Sequence, residues 1–270
     1  MKILIAADME GVTGVVHWDH VSSAHAEYAR FRKLMTGDVN AAVRGAFDGG
    51  AGEVLVTDGH GSAKNILIEE LDARARLNSG GTRPLSMVQG VDAGVDAAIF
   101  VGYHARAGTP NAILDHIWTG GVNNVWLNGA PVGEIGLNAA VCGHFGVPVI
   151  ALSGCQGACE EAETLLGEVE TAPVKWASGR MGAECLPPER AQQAIYEAAQ
   201  RAVQRLAQGQ AAKPFRVQTP VKLEVEFNSS DMADGASILP DAQRDGRTLT
   251  LVAPDMVTAY RLFRAAASLA

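Results

Sequence analysis

The chain has 270 residues, 47% hydrophobic and 19% charged, so it can bury a sizeable core and is not intrinsically disordered. Its net charge of −8, from 22 basic and 30 acidic residues, and its isoelectric point near 5.4 exclude the basic footprint of a nucleic-acid or anionic-membrane binder. Glycine is in excess at 30 residues with no collagen-like period, which points to many tight strand-to-helix turns.

The first apolar run, Lys2 to Ala7, breaks at Asp8 and is too short for a signal-peptide core. No stretch approaches the roughly 20 apolar residues of a membrane span, and the expected location is cytoplasmic. Cys142, Cys155, Cys159 and Cys185 accordingly read as reduced packing thiols. Lys2 to Ala7 is a buried strand, and apolar positions at three- and four-residue steps predict a helix from about Ala24 to Gly50. Strands follow at Glu53 to Asp58 and Val95 to Val101, with intervals long enough for parallel crossovers. Asn128-Gly129 predicts a tight hairpin within Val125 to Val132, because both central residues of such a turn need positive φ.

A helix over Glu134 to Phe145 and a strand over Val147 to Leu152 come next. Pro187 to Ala207 is an amphipathic helix with Ile195, Ala198, Ala199, Ala202, Val203 and Leu206 on one face. Val221, Leu223, Val225 and Phe227, with Leu249 and Leu251, predict a strand pair, and Pro254 is expected to open a final helix. The pattern is α/β with a mainly parallel sheet. Residues 1–210 are expected to form the α/β core that carries the candidate site residues, and residues 211–270 a smaller α+β portion packed into the same body, jointed near Gly209 to Pro220.

Strand ends carry the chemistry. The first gives Asp8 and Glu10, the second Asp58 and His60, the third His104, and a parallel sheet places all such ends on one edge. Acids and imidazoles converging there, with Glu134 available, suit a divalent transition metal. One carboxylate can bridge two ions about 3.5–4 Å apart that share a hydroxide nucleophile, and Asp8, deepest at its strand end, is the choice for the bridge. Taken singly, Asp8 or Asp58 also fits a helix cap and His60 a turn. His17, His20 and His25 form a His-x-x-His cluster in a polar, solvated stretch. Gly59-His60-Gly61-Ser62 lacks the spacing of a phosphate-binding loop, and Ser153-Gly154-Cys155 lacks a nucleophile-elbow context. His116 follows His104 along a loop containing glycine and proline. It reads either as a surface histidine or as a proton-transfer group reaching back over the ions.

Several segments resemble the D-aminopeptidase family of dinuclear zinc peptidases associated with dipeptide-transport operons. They are Asp8-Met9-Glu10-Gly11, Tyr28 to Thr36, Asp58-Gly59-His60, Ser86 to Gly90, Gly102 to Arg106, Pro131 to Ala139 and Ala172 to Lys175, in family order over most of the chain. The resemblance implies a three-layer α/β/α core and two zinc ions held by Asp8, Glu10, His60, His104 and Glu134, with Asp8 shared. It implies His116 as catalytic nucleophile or proton-transfer group, a ring-like homodecamer, and release of N-terminal D-amino acids from short peptides or amides. Ala6 stands where the family usually has serine, and Cys155-Gln156 where an acidic pair is expected. The alternatives are a dinuclear hydrolase of another amide or a phosphoester, and a non-catalytic peptide-binding or scaffold protein. The scarcity of basic residues near the ligands, Arg106 excepted, speaks against a phosphate substrate.

Overall fold

The computed structural model describes residues 1–270. The elements run β1 (Lys2–Ala7), α1 (Tyr28–Asp48), β2 (Glu53–Asp58), β3 (Ala75–Asn78), β4 (Ala97–Tyr103), β5 (Val122–Leu127), β6 (Ala130–Val132), α2 (Glu134–His144), β7 (Val149–Cys155) and α3 (Gln156–Leu166). They continue β8 (Glu170–Gly179), β9 (Gly182–Cys185), α4 (Pro188–Ala207), β10 (Val221–Phe227), α5 (Ser230–Ala236), β11 (Gln243–Asp245), β12 (Thr248–Ala253) and α6 (Met256–Leu269). No helix is long and apolar enough to cross a membrane.

The main sheet has the order β3-β2-β1-β4-β7-β8-β9, parallel throughout except for β9 at one edge. Strands β1, β4 and β7 are buried on both faces, which is why they read as unbroken apolar runs rather than alternations. From β1 the chain winds outward through β2 and β3, then returns to β4 on the other side of β1 and winds the opposite way. Right-handed crossovers in opposite directions put helices on opposite faces. Thus α1 packs with α4 on one face, and α2 with α3 on the other, giving three α/β/α layers. The reversal leaves a crevice at the carboxyl ends of β1 and β4, where sheets of this type bind ligands.

A second, antiparallel sheet has the order β11-β12-β10-β5-β6 and carries α5 and α6. Strand β10 pairs with β12 on one side and with β5 on the other, so the C-terminal strands join the hairpin that leads into Glu134. The hairpin turn has Asn128 and Gly129 at φ +51° and +81°, as the sequence requires.

The boundaries differ from the sequence expectation in readable ways. Helix α1 begins at Tyr28 because the residues from His25 form turns first. Strand β4 starts at Ala97 and runs on to Tyr103, which sets His104 directly past its end. Pro254 does not open α6. Asp255 precedes the helix at φ −152°, and its side chain caps the amide of Thr258 at 2.8 Å.

Candidate metal centre

The segment after β1 is held against β4 by the Asp8 amide on Val101 O and the Gly11 amide on Gly102 O, both at 2.8 Å. Any side chain at Gly11 would overlap the Tyr103 carbonyl, so Asp8 and Glu10 project toward the β4 end while the backbones stay in contact. Lys175, fully buried on β8, ties down the same segment: its ammonium donates to the carbonyls of Glu10, Val12 and Val15 at 2.5, 3.0 and 2.6 Å. Glu134 opens α2, where the helix dipole favours a carboxylate, and accepts the Trp118 amide at 2.7 Å.

Asp8, Glu10, His60, His104, His116 and Glu134 meet in space. His60 Nδ1 lies 3.3 Å from Asp8 Oδ1 and 3.1 Å from Glu10 Oε2. His104 Nε2 lies 3.5 Å from Asp8 Oδ2 and 3.1 Å from Glu134 Oε1. The two Asp8 oxygens therefore face two different histidines. His116 stacks on His104 with ring centroids 3.9 Å apart, and its Nε2 lies 4.0 Å from Glu10 and 3.8 Å from Glu134.

Each of the three rings has its other nitrogen on a backbone carbonyl. His60 Nε2–H donates to Val21 O at 2.9 Å, His104 Nδ1–H to Ala105 O at 3.0 Å, and His116 Nδ1–H to Leu114 O at 2.8 Å. That arrangement fixes the tautomer and turns the lone pair of the remaining nitrogen toward the carboxylates, as ligating histidines require.

The cluster is nearly sealed, with Asp8, Glu10, His104 and Glu134 all at most 5% exposed. Asp8 Oδ2, Glu10 Oε2 and His104 Nε2 are buried with no hydrogen-bond partner. Burial, with Glu10 adding to it, pushes the Asp8 carboxyl up to about 7. Burial also opposes ionisation of Glu10 and Glu134, but the adjoining imidazoles, His60 for the first and His104 for the second, hold both below the usual carboxylate range. His60 and His104 are correspondingly held above theirs by the carboxylates, against desolvation. Three buried carboxylates around orphaned donor atoms are costly without a cation, and N/O donors in this geometry fit zinc. The donors form two overlapping sets, Asp8, Glu10 and His104 in one, His104, His116 and Glu134 in the other, with atoms within 4.8 Å of one another in each.

The site opens into a cavity of about 170 Å³ lined by Asp8, Glu10, His60, His116, Glu134 and Trp118, among others. Several sequence candidates lie elsewhere. Asp58 accepts the Asn65 and Ile66 amides at 2.6 and 2.9 Å and anchors the loop after β2. Ser153 Oγ accepts the Gly102 amide at 3.1 Å between β7 and β4. Cys142, Cys155 and Cys159 are free and buried, and burial raises the Cys142 and Cys159 thiols. Neither Cys155 nor Gln156 lines the metal cavity.

Arg106 lines a separate cavity beside Glu160 and Glu161. The basic residues near the centre are instead Arg83, Arg261 and Arg264, in a cavity that shares Gly59, Gly61, Ser86 and Trp118 with the metal cavity. The sequence reading missed these and Lys175. For Lys175 the signals were a lone lysine between Val174 and Trp176 and its place in the family-like segment Ala172 to Lys175, neither of which assigned it a role.

The family model described as D-aminopeptidase matches residues 1–265. A D-aminopeptidase of Bacillus subtilis (strain 168) is 37% identical over 263 residues, covering 97% of this chain and 94% of its own. The solved structure of the Zn-dependent D-aminopeptidase DppA from Bacillus subtilis, described as a self-compartmentalizing protease, superposes with a TM-score of 0.94 at 34% identity. That match covers 100% of this chain and 97% of the other. With the family model spanning nearly every residue and the strand-end acids and histidines clustered in one crevice, this chain belongs to the D-aminopeptidase family.

Proposed function

We propose that the protein is a zinc-dependent aminopeptidase that releases N-terminal D-residues from short peptides, using two ions. Asp8, Glu10 and His60 would hold one, Asp8, His104 and Glu134 the other, and Asp8 would be shared. The observation that carries this reading is the division of the Asp8 oxygens between His60 and His104, with a second carboxylate beside each histidine. When bound, zinc supplies Lewis-acid stabilisation of the oxygen charge that develops as the amide is attacked.

The protein's own groups handle the proton. Burial, with the neighbouring His104 adding to it, lowers the His116 pKa and so favours the neutral ring. With Nδ1–H committed to Leu114 O, the Nε2 lone pair faces the cavity and would take a proton from the water that attacks the amide carbonyl, then return it to the leaving amine as the C–N bond breaks. Trp18 meets the His116 ring edge-on at 5.2 Å. A closed homo-oligomer, a decamer by resemblance, would restrict access to short peptides, in line with the self-compartmentalizing description of DppA.

The test is metal stripping followed by zinc reloading. The reloaded enzyme is expected to cleave D-Ala-D-Ala and D-Ala-amide faster than their L counterparts and to hold two zinc ions per chain. Absence of turnover on all four substrates would sink the peptidase reading, and one ion per chain the dinuclear one.

A further inference from the structure

Beside the metal cavity lies one of about 360 Å³, lined by Thr82, Arg83, Ser86, Arg261, Arg264 and Ser268 together with small residues and Trp118. No acidic residue lines it, in a chain whose net charge is −8. Arg261, Arg264 and Ser268 recur at three- and four-residue steps and so share one face of α6. None of the three arginines forms an ion pair. The Arg261 side chain makes no hydrogen bond within the chain, and Arg83 Nε is buried without a partner. Arg264 is held in place by the carbonyls of Arg83 and Pro84 at 2.9 and 3.0 Å, and Arg83 by Asn78 O and Asp58 O at 2.9 and 2.5 Å. Two guanidiniums are thus fixed side by side with no carboxylate partner, and the third stands free beside them.

The wall between the cavities is conformationally expensive. Ser86 and Trp118 have φ of +46° and +63°, a region that costs non-glycine residues about 1–3 kcal/mol each. Ser86 and Trp118 border both cavities, so a ligand seated at the metals would continue past them toward the arginines. Planar guanidinium forks match carboxylate geometry and bind it more strongly than neutral donors do.

We infer that the cavity lined by Arg83, Arg261 and Arg264 is the subsite for the C-terminal carboxylate of a short peptide whose amino end lies at the metal centre. This rests on the aminopeptidase reading and sharpens its substrate preference, ranking short peptides with a free C-terminus above the corresponding amides. The α6 helix then has a role at the site, since it supplies two of the three arginines.

Uncleavable probes separate this inference from the parent reading. They are the reduced-amide analogue of D-Ala-D-Ala, with CH₂–NH in place of the scissile amide, and its C-terminal carboxamide, titrated calorimetrically into the zinc-loaded full chain. The carboxylate form is expected to bind about 10-fold tighter or more, as for a charge-assisted contact. Arg261→Gln, which loses no hydrogen bond or ion pair within the chain, should reduce that preference at least about threefold, and Arg261→Lys should restore part of it.

Equal binding of the two forms in the parent protein overturns the subsite, as does a preference unaffected by Arg261→Gln. Inorganic phosphate is the third probe. If it binds through Arg261 while the peptide carboxylate gains nothing over the carboxamide, the cavity is a free-anion site and the inference fails. A carboxylate preference without turnover of any D or L peptide leaves the subsite standing and removes the aminopeptidase.

Discussion

Two clusters of three histidines, each beside carboxylates, have opposite characters in this molecule. His17, His20 and His25 lie within nine residues of one another in the sequence and pair locally. His17 and His25 sit near Asp19 at 3.4 Å with rings about half exposed, while His20 meets Glu27 at 3.0 Å and stacks on Phe31. His60, His104 and His116 come from three separate loops, with rings 15%, 1% and 12% exposed, and face carboxylates from the segment after β1 and from α2. In the first cluster, local amides and exposed acids occupy the ring nitrogens, with His17 Nδ1 accepting from Asp19 and His20 Nδ1 from Val16. In the second, each ring gives one nitrogen to a carbonyl and keeps the other for the buried acids. Close sequence spacing is therefore a poor guide to a ligand-like arrangement of histidines. Burial and a fixed tautomer distinguish one.

Mutations at the buried cluster should give the largest effects. His104→Ala removes the histidine proposed to hold one ion with Asp8 and Glu134 and should lower kcat/KM by about 10³-fold, or ~4 kcal/mol, with zinc content reduced by mass spectrometry. Near-parent activity with full zinc would erase the contrast between the clusters. His116→Ala should lower kcat by about 10²-fold with zinc retained. Loss of an ion in that variant would instead make His116 a ligand. Lys175→Met leaves the carbonyls of Glu10, Val12 and Val15 unpaired and should destabilise the protein by about 3 kcal/mol in denaturant titrations.

Metal removal gives the next contrast, in the pH dependence of melting. Without metal, the contribution of His60 and His104, whose pKa values are raised, is complete below about 6.5 and lost as pH rises through those values. Asp8, protonated up to about 7, acts in the same direction. The lowered Glu10 and Glu134 contribute above about 4.5 and fail as pH falls. The lowered His116 removes stability on acidification below about 6.5. The metal-free protein should therefore be most stable in mildly acidic to neutral solution and weaken above it, and zinc should abolish the alkaline loss. A melting temperature that rises steadily through pH 8 without metal would contradict this. Smallest of all, His17→Ala and His25→Ala should each stay within about 0.5 kcal/mol of the parent in stability, with zinc content unchanged.

Much of the architecture was legible because the central strands are buried on both faces and the helices α1 and α4 bury one stripe each. Asp8, Glu10, His60 and His104 were readable as a group because each follows a strand that the sequence marks as parallel. The half-exposed β3 and β9, with charged or small residues, give no clear period, and β8 alternates only in part. The short α3, which begins Gln-Gly-Ala-Cys, has no capping side chain to announce it. The arginine cavity left no sequence signal, because Arg83 sits in a loop after β3 and Arg261 on the last helix.

By itself the sequence determined the α/β class, the edge at which acids and imidazoles gather, and the hairpin that returns the chain to Glu134. These follow from local periodicity and turn chemistry, which act over a few residues. Tertiary structure alone decided which nitrogen of each histidine faces the carboxylates, which lysine secures the loop carrying Glu10, and which arginines stand beside the centre. Ring orientation depends on acceptors such as Val21 O, and the arginine cavity on α6 docking beside the loop at Arg83. Only the folded chain brings those groups within hydrogen-bonding reach.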